Sequence, residues 1–555
     1  MPNTKPTAPE LYGWPLLAVT HALEWIPMVT DKVARDALLF SLRGRAFSEM
    51  PNTLAIHSKY LCNSDISATS INIALDESQR SISPFLSFWD YHDAYRSHKT
   101  TPFEVAKLLI AKLKETNQSH WIRNFDEDSI LTQAKESTDR YNRGESLGQL
   151  DGVFVSIKEE MSIKGFETKC GTNFIHDGEP AEEDSTVVKR LRAAGAIVGC
   201  QAVMNELGWD TFSVNPFTGT PKNPYISNHS CGGSSGGSGG SVASGLFPIS
   251  IGADGGGSIR IPSSFCGVYG LKPTCGRVSA HGGEPVDPTL GVFGPLAATA
   301  DDLALTYTII AGPDPNDPLS LHQPPVSLKD YDLTETLAGV RIGILPDWHS
   351  DNSDEIFNER IEQVKAHLKQ LGATIVTTSL PDIDLVGVAH SITICSEMSS
   401  YASSHTDTTS RFLPHTRLMM SVSKRLQGSD YVKAQQIRTR LMDQLHELFS
   451  GPMDLILTPT TGSQSPAIPP QAAAYGMSHA TWTFRAMQYV TLANLTGIPA
   501  LNVPAGFHNG LPVGLQFMAS WWNEALLLRI AKIIERMPGL EKKTADSYID
   551  CLTTA

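Results

Sequence analysis

Apolar positions recur along this chain with two different periods. After Thr101-Pro102-Phe103-Glu104, an N-cap followed by proline and an acid in the first turn, residues Val105, Leu108, Leu109 and Leu113 fall at helical spacing. Gly152 to Ile157 is instead a short apolar run, which predicts a buried strand ending at Lys158. Asp184 to Ala194 predicts an amphipathic helix closed by Gly195, followed by a strand at Ala196–Cys200. The same helix–glycine–strand unit recurs at Asp354–Leu371, Gly372 and Ala373–Thr378, and Val340–Leu345 and Met453–Leu457 predict further strands. Strands alternating with helices imply an α/β architecture with a parallel or mixed sheet.

Other stretches are less regular. Leu11 to Thr30 is fairly apolar, but His21, Glu24 and Pro27 interrupt it, so it is too broken to span a membrane. It predicts a helix packed on the main domain, with an amphipathic helix at a membrane surface as the alternative. Residues 1–80 read as an N-terminal helical extension. Gly312 to Leu333, rich in Pro, Asp and Ser, reads as a surface connection.

Composition narrows the function. In 555 residues, 41% hydrophobic and 18% charged, most of the chain can be buried without disulfide or metal staples. The net charge of −14 repels nucleic acid and anionic lipid, so neither is expected as the main partner. None of the eight cysteines forms a CxxC pair, which predicts buried free thiols in a reducing compartment rather than a zinc site. The first ten residues lack the apolar core of a signal peptide, and the final Leu552-Thr553-Thr554-Ala555 matches no organelle address. The expectation is a cytosolic protein.

Two glycine-rich segments carry the candidate chemistry: Gly232-Gly233-Ser234-Ser235-Gly236-Gly237-Ser238-Gly239-Gly240-Ser241, and Asp254-Gly255-Gly256-Gly257-Ser258-Ile259-Arg260-Ile261-Pro262. A flexible linker would be bordered by solvated residues, but Val242 to Ile249 follows the first segment without a charge. No Gly-Lys-Ser/Thr phosphate loop is present. Gly-x-Ser-x-Gly matches at Ser235 and Ser238 come almost free in such a run, and the apolar strand a nucleophile elbow needs is not directly before them.

Taken together, the two segments and the upstream Lys158 resemble the amidase signature family, from about Ser83 to Arg536. Asn205-Glu206, Asn215-Pro216, Gly294-Pro295-Leu296, Leu457-Thr458-Pro459-Thr460 and Gly510 to Gln516 add to the likeness. The resemblance implies one large catalytic domain over residues 81–555, with a central twisted mixed sheet flanked by helices. It implies a Ser–Ser–Lys triad in which Ser258 is the nucleophile, Ser234 the relay and Lys158 the terminal base. A hydroxyl both donates and accepts, so Ser234 can pass a proton from Ser258 to a neutral lysine. That requires a lysine neutral well below its ordinary value of about 10.4. Glu159 and Glu160 are therefore expected to lie away from the ammonium, although strand alternation returns Glu160 to the face of Lys158.

The resemblance further implies an oxyanion hole from the amides of Gly255, Gly256, Gly257 and Ser258, a cis peptide at Ser234, and a ligand-facing backbone at Gly208. Asp254 and Arg260 are expected to support the loop. Most members carry a larger residue at 255; glycine there removes side-chain packing from the hole. Amide hydrolysis without metal or organic cofactor is the leading reading, on a small or lipophilic amide. Acyl transfer through the same acyl-enzyme and a catalytically inactive binding protein are the alternatives, and a homodimer stays open.

Overall fold

The computed structural model describes residues 10–62, 73–81, 83–349, 353–405 and 410–553. Residues 1–9 and 554–555, which take in most of the first ten residues and the end of Leu552-Thr553-Thr554-Ala555, lie outside the described residues. Thirteen strands occur among them: β1 (Glu10–Tyr12), β2 (Ile122–Phe125), β3 (Phe154–Lys158), β4 (Ile197–Ala202), β5 (Ile249–Asp254), β6 (Tyr269–Lys272), β7 (Val292–Ala297), β8 (Arg341–Ile344), β9 (Thr374–Thr377), β10 (Leu455–Pro459), β11 (Met477–His479), β12 (Ala500–His508) and β13 (Leu511–Ala519). Eleven form one sheet in the order β2-β4-β3-β5-β7-β6-β12-β13-β10-β8-β9, and β1 pairs with β11 in a ribbon of its own. Helices flank the sheet, and the fold is the mixed α/β class expected from the alternation of periods.

β3 pairs in parallel with β4 and β5, and β8 with β9 and β10, whereas β5–β7, β6–β7, β6–β12, β12–β13 and β10–β13 are antiparallel. The helix Thr186–Ala193 crosses from β3 to β4, and the helix Gly236–Ala243 from β4 to β5. Every residue of β3, β4 and β5 is buried. That is why these strands read as continuous apolar runs rather than alternating ones. Each predicted helix–glycine–strand unit is present: Thr186–Ala193 then β4, and Glu355–Gln370 then β9, with Gly195 and Gly372 at φ +87° and +95°.

The glycine-rich run 232–241 is not a linker. Residues 236–243 form a fully buried helix. A Cβ on Gly237 would lie 2.3 Å from the Trp121 carbonyl oxygen, and one on Gly240 2.5 Å from the Trp121 ring. Glycine is what lets this helix sit against the end of β4.

Leu11–Thr30 lies mostly in the helices Gly13–Trp25 and Pro27–Asp36, packed against the helix Pro414–Ser423. Leu16, Leu23 and Ala34 join a core cluster with Ala389, Ile392 and Leu418. The ion pair Glu24–Arg417 (2.7 Å) pins the segment from outside, and Arg43–Asp430 (2.6 Å) ties down the stretch just after it. No helix of the described residues is long and apolar enough to cross a membrane. All eight cysteines are free, seven of them buried.

Candidate active site

Three loops meet at the carboxyl ends of β3 and β5. Lys158 is the last residue of β3, Ser234 precedes the glycine-rich helix, and the turn after β5 carries Ser258. Lys158 Nζ donates to Ser234 Oγ at 2.8 Å, and both residues are buried. The Gly233–Ser234 peptide is cis. The Ser235 amide donates to the Ser258 carbonyl at 3.3 Å, tying the two serine loops together.

Ser258 stands out by exposure. From Ser230 to Ser279, it is the sole residue that is not buried. Its side chain makes no hydrogen bond to another described residue. It lines a cavity of about 20 Å³ with Lys158, Ser234, Gly208, Gly255 and Gly256, walled on the apolar side by Leu207, Val286, Ile394 and Met398. That volume has room for about one water. Gly208, at φ +75°, packs so closely that a Cβ there would meet Ser234 Oγ at 3.3 Å.

The loop after β5 is held from behind. Asp254 accepts from the Gly257 amide at 2.7 Å and the Ile259 amide at 3.1 Å, and pairs with Arg260 at 2.9 Å. Arg260 also donates to Asn494, Gln516 and the Val490 carbonyl. Asp254 and Arg260 are both fully buried. Burial would raise the Asp254 carboxyl, but the Arg260 guanidinium outweighs it and holds the group well below the usual carboxylate range. The pair sits in a hydrogen-bond network behind the loop. It commits the Gly257 amide, which was expected in the oxyanion hole, to Asp254. The Gly256 and Ser258 amides donate to no described protein group.

Glu160 overturns one expectation. Its Oε2 lies 2.9 Å from Lys158 Nζ. β3 ends at Lys158, and a turn closed by the Met161 amide on the Lys158 carbonyl swings Glu160 back over the ammonium. Same-face alternation already pointed this way. Glu159 does turn away: it accepts from the Gly171 amide at 3.2 Å and approaches Arg123 at 3.5 Å. Burial pushes its carboxyl up to about 7.

Position 255 also has a structural reason. A Cβ on Gly255 would fall 1.5 Å from Asp287 Oδ2, and one on Gly291 2.4 Å from Asp287 Oδ1. The Asp287 carboxyl therefore occupies the space a larger residue at 255 would fill. Burial, with the Glu160 and Glu397 carboxylates nearby, pushes it well above the ordinary range. Asp287, Ile394 and Met398 belong to no motif in the sequence, and only the fold brings them to the cavity. Ser235 is not a nucleophile candidate here, since its buried hydroxyl bonds the Ala253 carbonyl at 3.2 Å, and Ser238 is buried in the glycine-rich helix.

Comparison with known proteins places the chain in a family. The sequence model of the amidase family, described as Amidase, matches residues 104–528. The chain is 36% identical over 476 residues to a fatty acid amide hydrolase of Arabidopsis thaliana, covering 84% of this chain and 78% of that protein. It is 36% identical over 474 residues to a fatty acid amide hydrolase of Medicago truncatula, covering 83% and 78%. The native peptide amidase of Stenotrophomonas maltophilia shares the fold, with a TM-score of 0.70 at 24% identity, over 83% of this chain and 98% of that one. Fold and relatives together define a hydrolase acting on carbon–nitrogen bonds other than peptide bonds. The chain belongs to the amidase signature family.

Proposed function

We propose that this amidase hydrolyses a lipophilic carboxamide through an acyl-enzyme on Ser258. The observation that carries the reading is the placement of Ser258: the one uncovered residue in a long buried block, beside a Lys158–Ser234 hydrogen bond. The Ser258 hydroxyl attacks the carbonyl carbon, and its proton passes to Ser234 as the Ser234 proton passes to Lys158. The tetrahedral oxyanion is stabilised by the Gly256 and Ser258 amides, with Gly255 beside them. The proton returns through Ser234 to the departing amine, and water then releases the acid.

Glu160 changes the resting state of this relay. The carboxylate lies 2.9 Å from Lys158 Nζ, so it competes with the Ser234 hydroxyl for the lysine's hydrogen bonds. Leu207, Val286, Ile394 and Met398 support an apolar acyl group, as does the similarity to a fatty acid amide hydrolase. The cavity must open to admit one. The helix Val386–Ser403 supplies Ile394 and Met398 and packs against the helix Pro414–Ser423, on which the N-terminal helices rest. Residues 1–80 are in this reading an extension that shapes the acyl channel from outside the catalytic domain.

Fluorophosphonate labelling followed by peptide mapping tests the assignment. The adduct is expected on Ser258, and an adduct on Ser235 or Ser238 refutes it. Lys158→Ala should slow acylation at pH 7 by a factor of about 10²–10⁴, with partial recovery in alkali. Full activity at pH 7 rules out the lysine base.

A further inference from the structure

We infer that His390 is a positioning residue that sets the Gly255–Gly256 peptide for oxyanion stabilisation; this rests on the Ser258 reading and names what stands behind it. His390 lies in the helix Val386–Ser403, one and two turns before the cavity residues Ile394 and Met398, and is fully buried. Its Nε2 is 2.8 Å from the Gly255 carbonyl oxygen. A carbonyl only accepts, so the ring proton is on Nε2. Nδ1 finds no partner among the described residues, so this bond is the ring's whole polar attachment. Burial pushes the imidazole down to about 4 against the opposing pull of the Gly255 carbonyl, so the ring is neutral at pH 7.

The peptide's geometry does the rest. The one cis bond among the described residues is Gly233–Ser234, so the Gly255–Gly256 peptide is trans. In a trans peptide the C=O and N–H point in opposite directions. Holding the carbonyl on His390 therefore sends the Gly256 N–H the other way, and that N–H has no protein acceptor among the described residues. Gly256 lines the cavity beside Ser258. Three successive glycines impose almost no preference on their own backbone. The Gly257 amide is fixed by Asp254, but the peptide before it is fixed only at the Gly255 carbonyl. Released from His390, it could turn its carbonyl, rather than its N–H, toward the oxyanion.

The test begins with the wild-type chain. Absence of a fluorophosphonate adduct on Ser258 overturns the nucleophile reading, and with it the premise, before any variant is compared. With the adduct present, His390→Met should lower kcat about 10- to 100-fold while KM stays within about threefold. Affinity for a trifluoromethyl ketone, which forms the oxyanion on the serine, should fall by a similar factor. His390→Gln, whose amide nitrogen can reach the same carbonyl, should recover most of kcat and of the ketone affinity. Should the Met variant not fold, His390→Asn, one methylene shorter, takes its place. A Gln variant no better than Met or Asn, a loss carried in KM, or unchanged ketone affinity overturns the proposal. The wild-type protein gives an independent reading: ¹⁵N NMR should show the Nε2–H tautomer of His390 at pH 7, and an Nδ1–H tautomer overturns the proposal without any variant.

Discussion

Lys158 is gripped from two sides, by the Ser234 hydroxyl at 2.8 Å and the Glu160 carboxylate at 2.9 Å. A relay to lysine alone needs only the first of these. The second is a contact with a carboxylate that the turn after β3 brings back over the strand end. Glu160→Gln keeps the shape and removes the charge, so the rate of fluorophosphonate labelling at pH 7 should change measurably. An unchanged rate shows that this contact does not bear on the relay. The neighbouring Asp254–Arg260 pair is of a different kind. It is fully buried and fully hydrogen-bonded, and its carboxylate holds the Gly257 and Ile259 amides of the loop.

Among the elements, the glycine-rich helix 236–243 decides how Ser234 meets Ser258. Helix propensity alone disfavours it, since each glycine costs about 1 kcal/mol relative to alanine. Burial against Trp121 and Val203 offsets that cost, and only a residue without Cβ fits. Gly237→Ala should therefore destabilise the protein by about 1–3 kcal/mol despite the better propensity, because the added methyl would meet backbone atoms at 2.3–2.7 Å. Equilibrium denaturation reads this directly, and a stabilised variant would show that the helix has slack. The strap of helices Gly13–Trp25 and Pro27–Asp36 acts at the same scale. It closes the outer face of the helix Pro414–Ser423, and so supports the cavity wall at one remove.

At the scale of the whole molecule, burial of acids links folding to pH. Burial pushes Glu159 and Asp210 up to about 7, Glu206 up to about 8, and Glu535 up to about 7. In the unfolded chain such groups titrate near 4. Between pH 6.5 and 8 the native state thus binds more protons than the unfolded state, so stability falls as pH rises through that window. The buried His390 and His415, lowered to about 4, give stability that is lost as pH falls from about 6.5 toward 4, below this window. The unfolding midpoint should therefore drop from pH 6.5 to 8, and Glu206→Gln should flatten the drop. A midpoint that rises over this range contradicts the argument.

The sequence by itself determined the local elements and the candidate residues for the chemistry. Period and caps located Pro102–Glu115, β3, β4, β8, β9 and the helices before β4 and β9, because these signals act between residues a few positions apart. Ser234 and Ser258 were legible through their glycine-rich flanks and Lys158 through its place at the end of an apolar run, and the resemblance to the amidase signature family joined the three. The helix 236–243 was not legible as a helix, since its stability comes from neighbours far along the chain. The turn after Lys158 set Glu160 on the ammonium, against the expectation drawn from the lysine's role. Asp287, His390, Ile394 and Met398 carry no motif. Asp287, Ile394 and Met398 reach the cavity, and His390 the Gly255 carbonyl behind it, only through the tertiary fold. Local pattern records what a residue prefers; which distant residue fills the space beside Gly255, or holds its carbonyl, is settled only when the chain closes on itself.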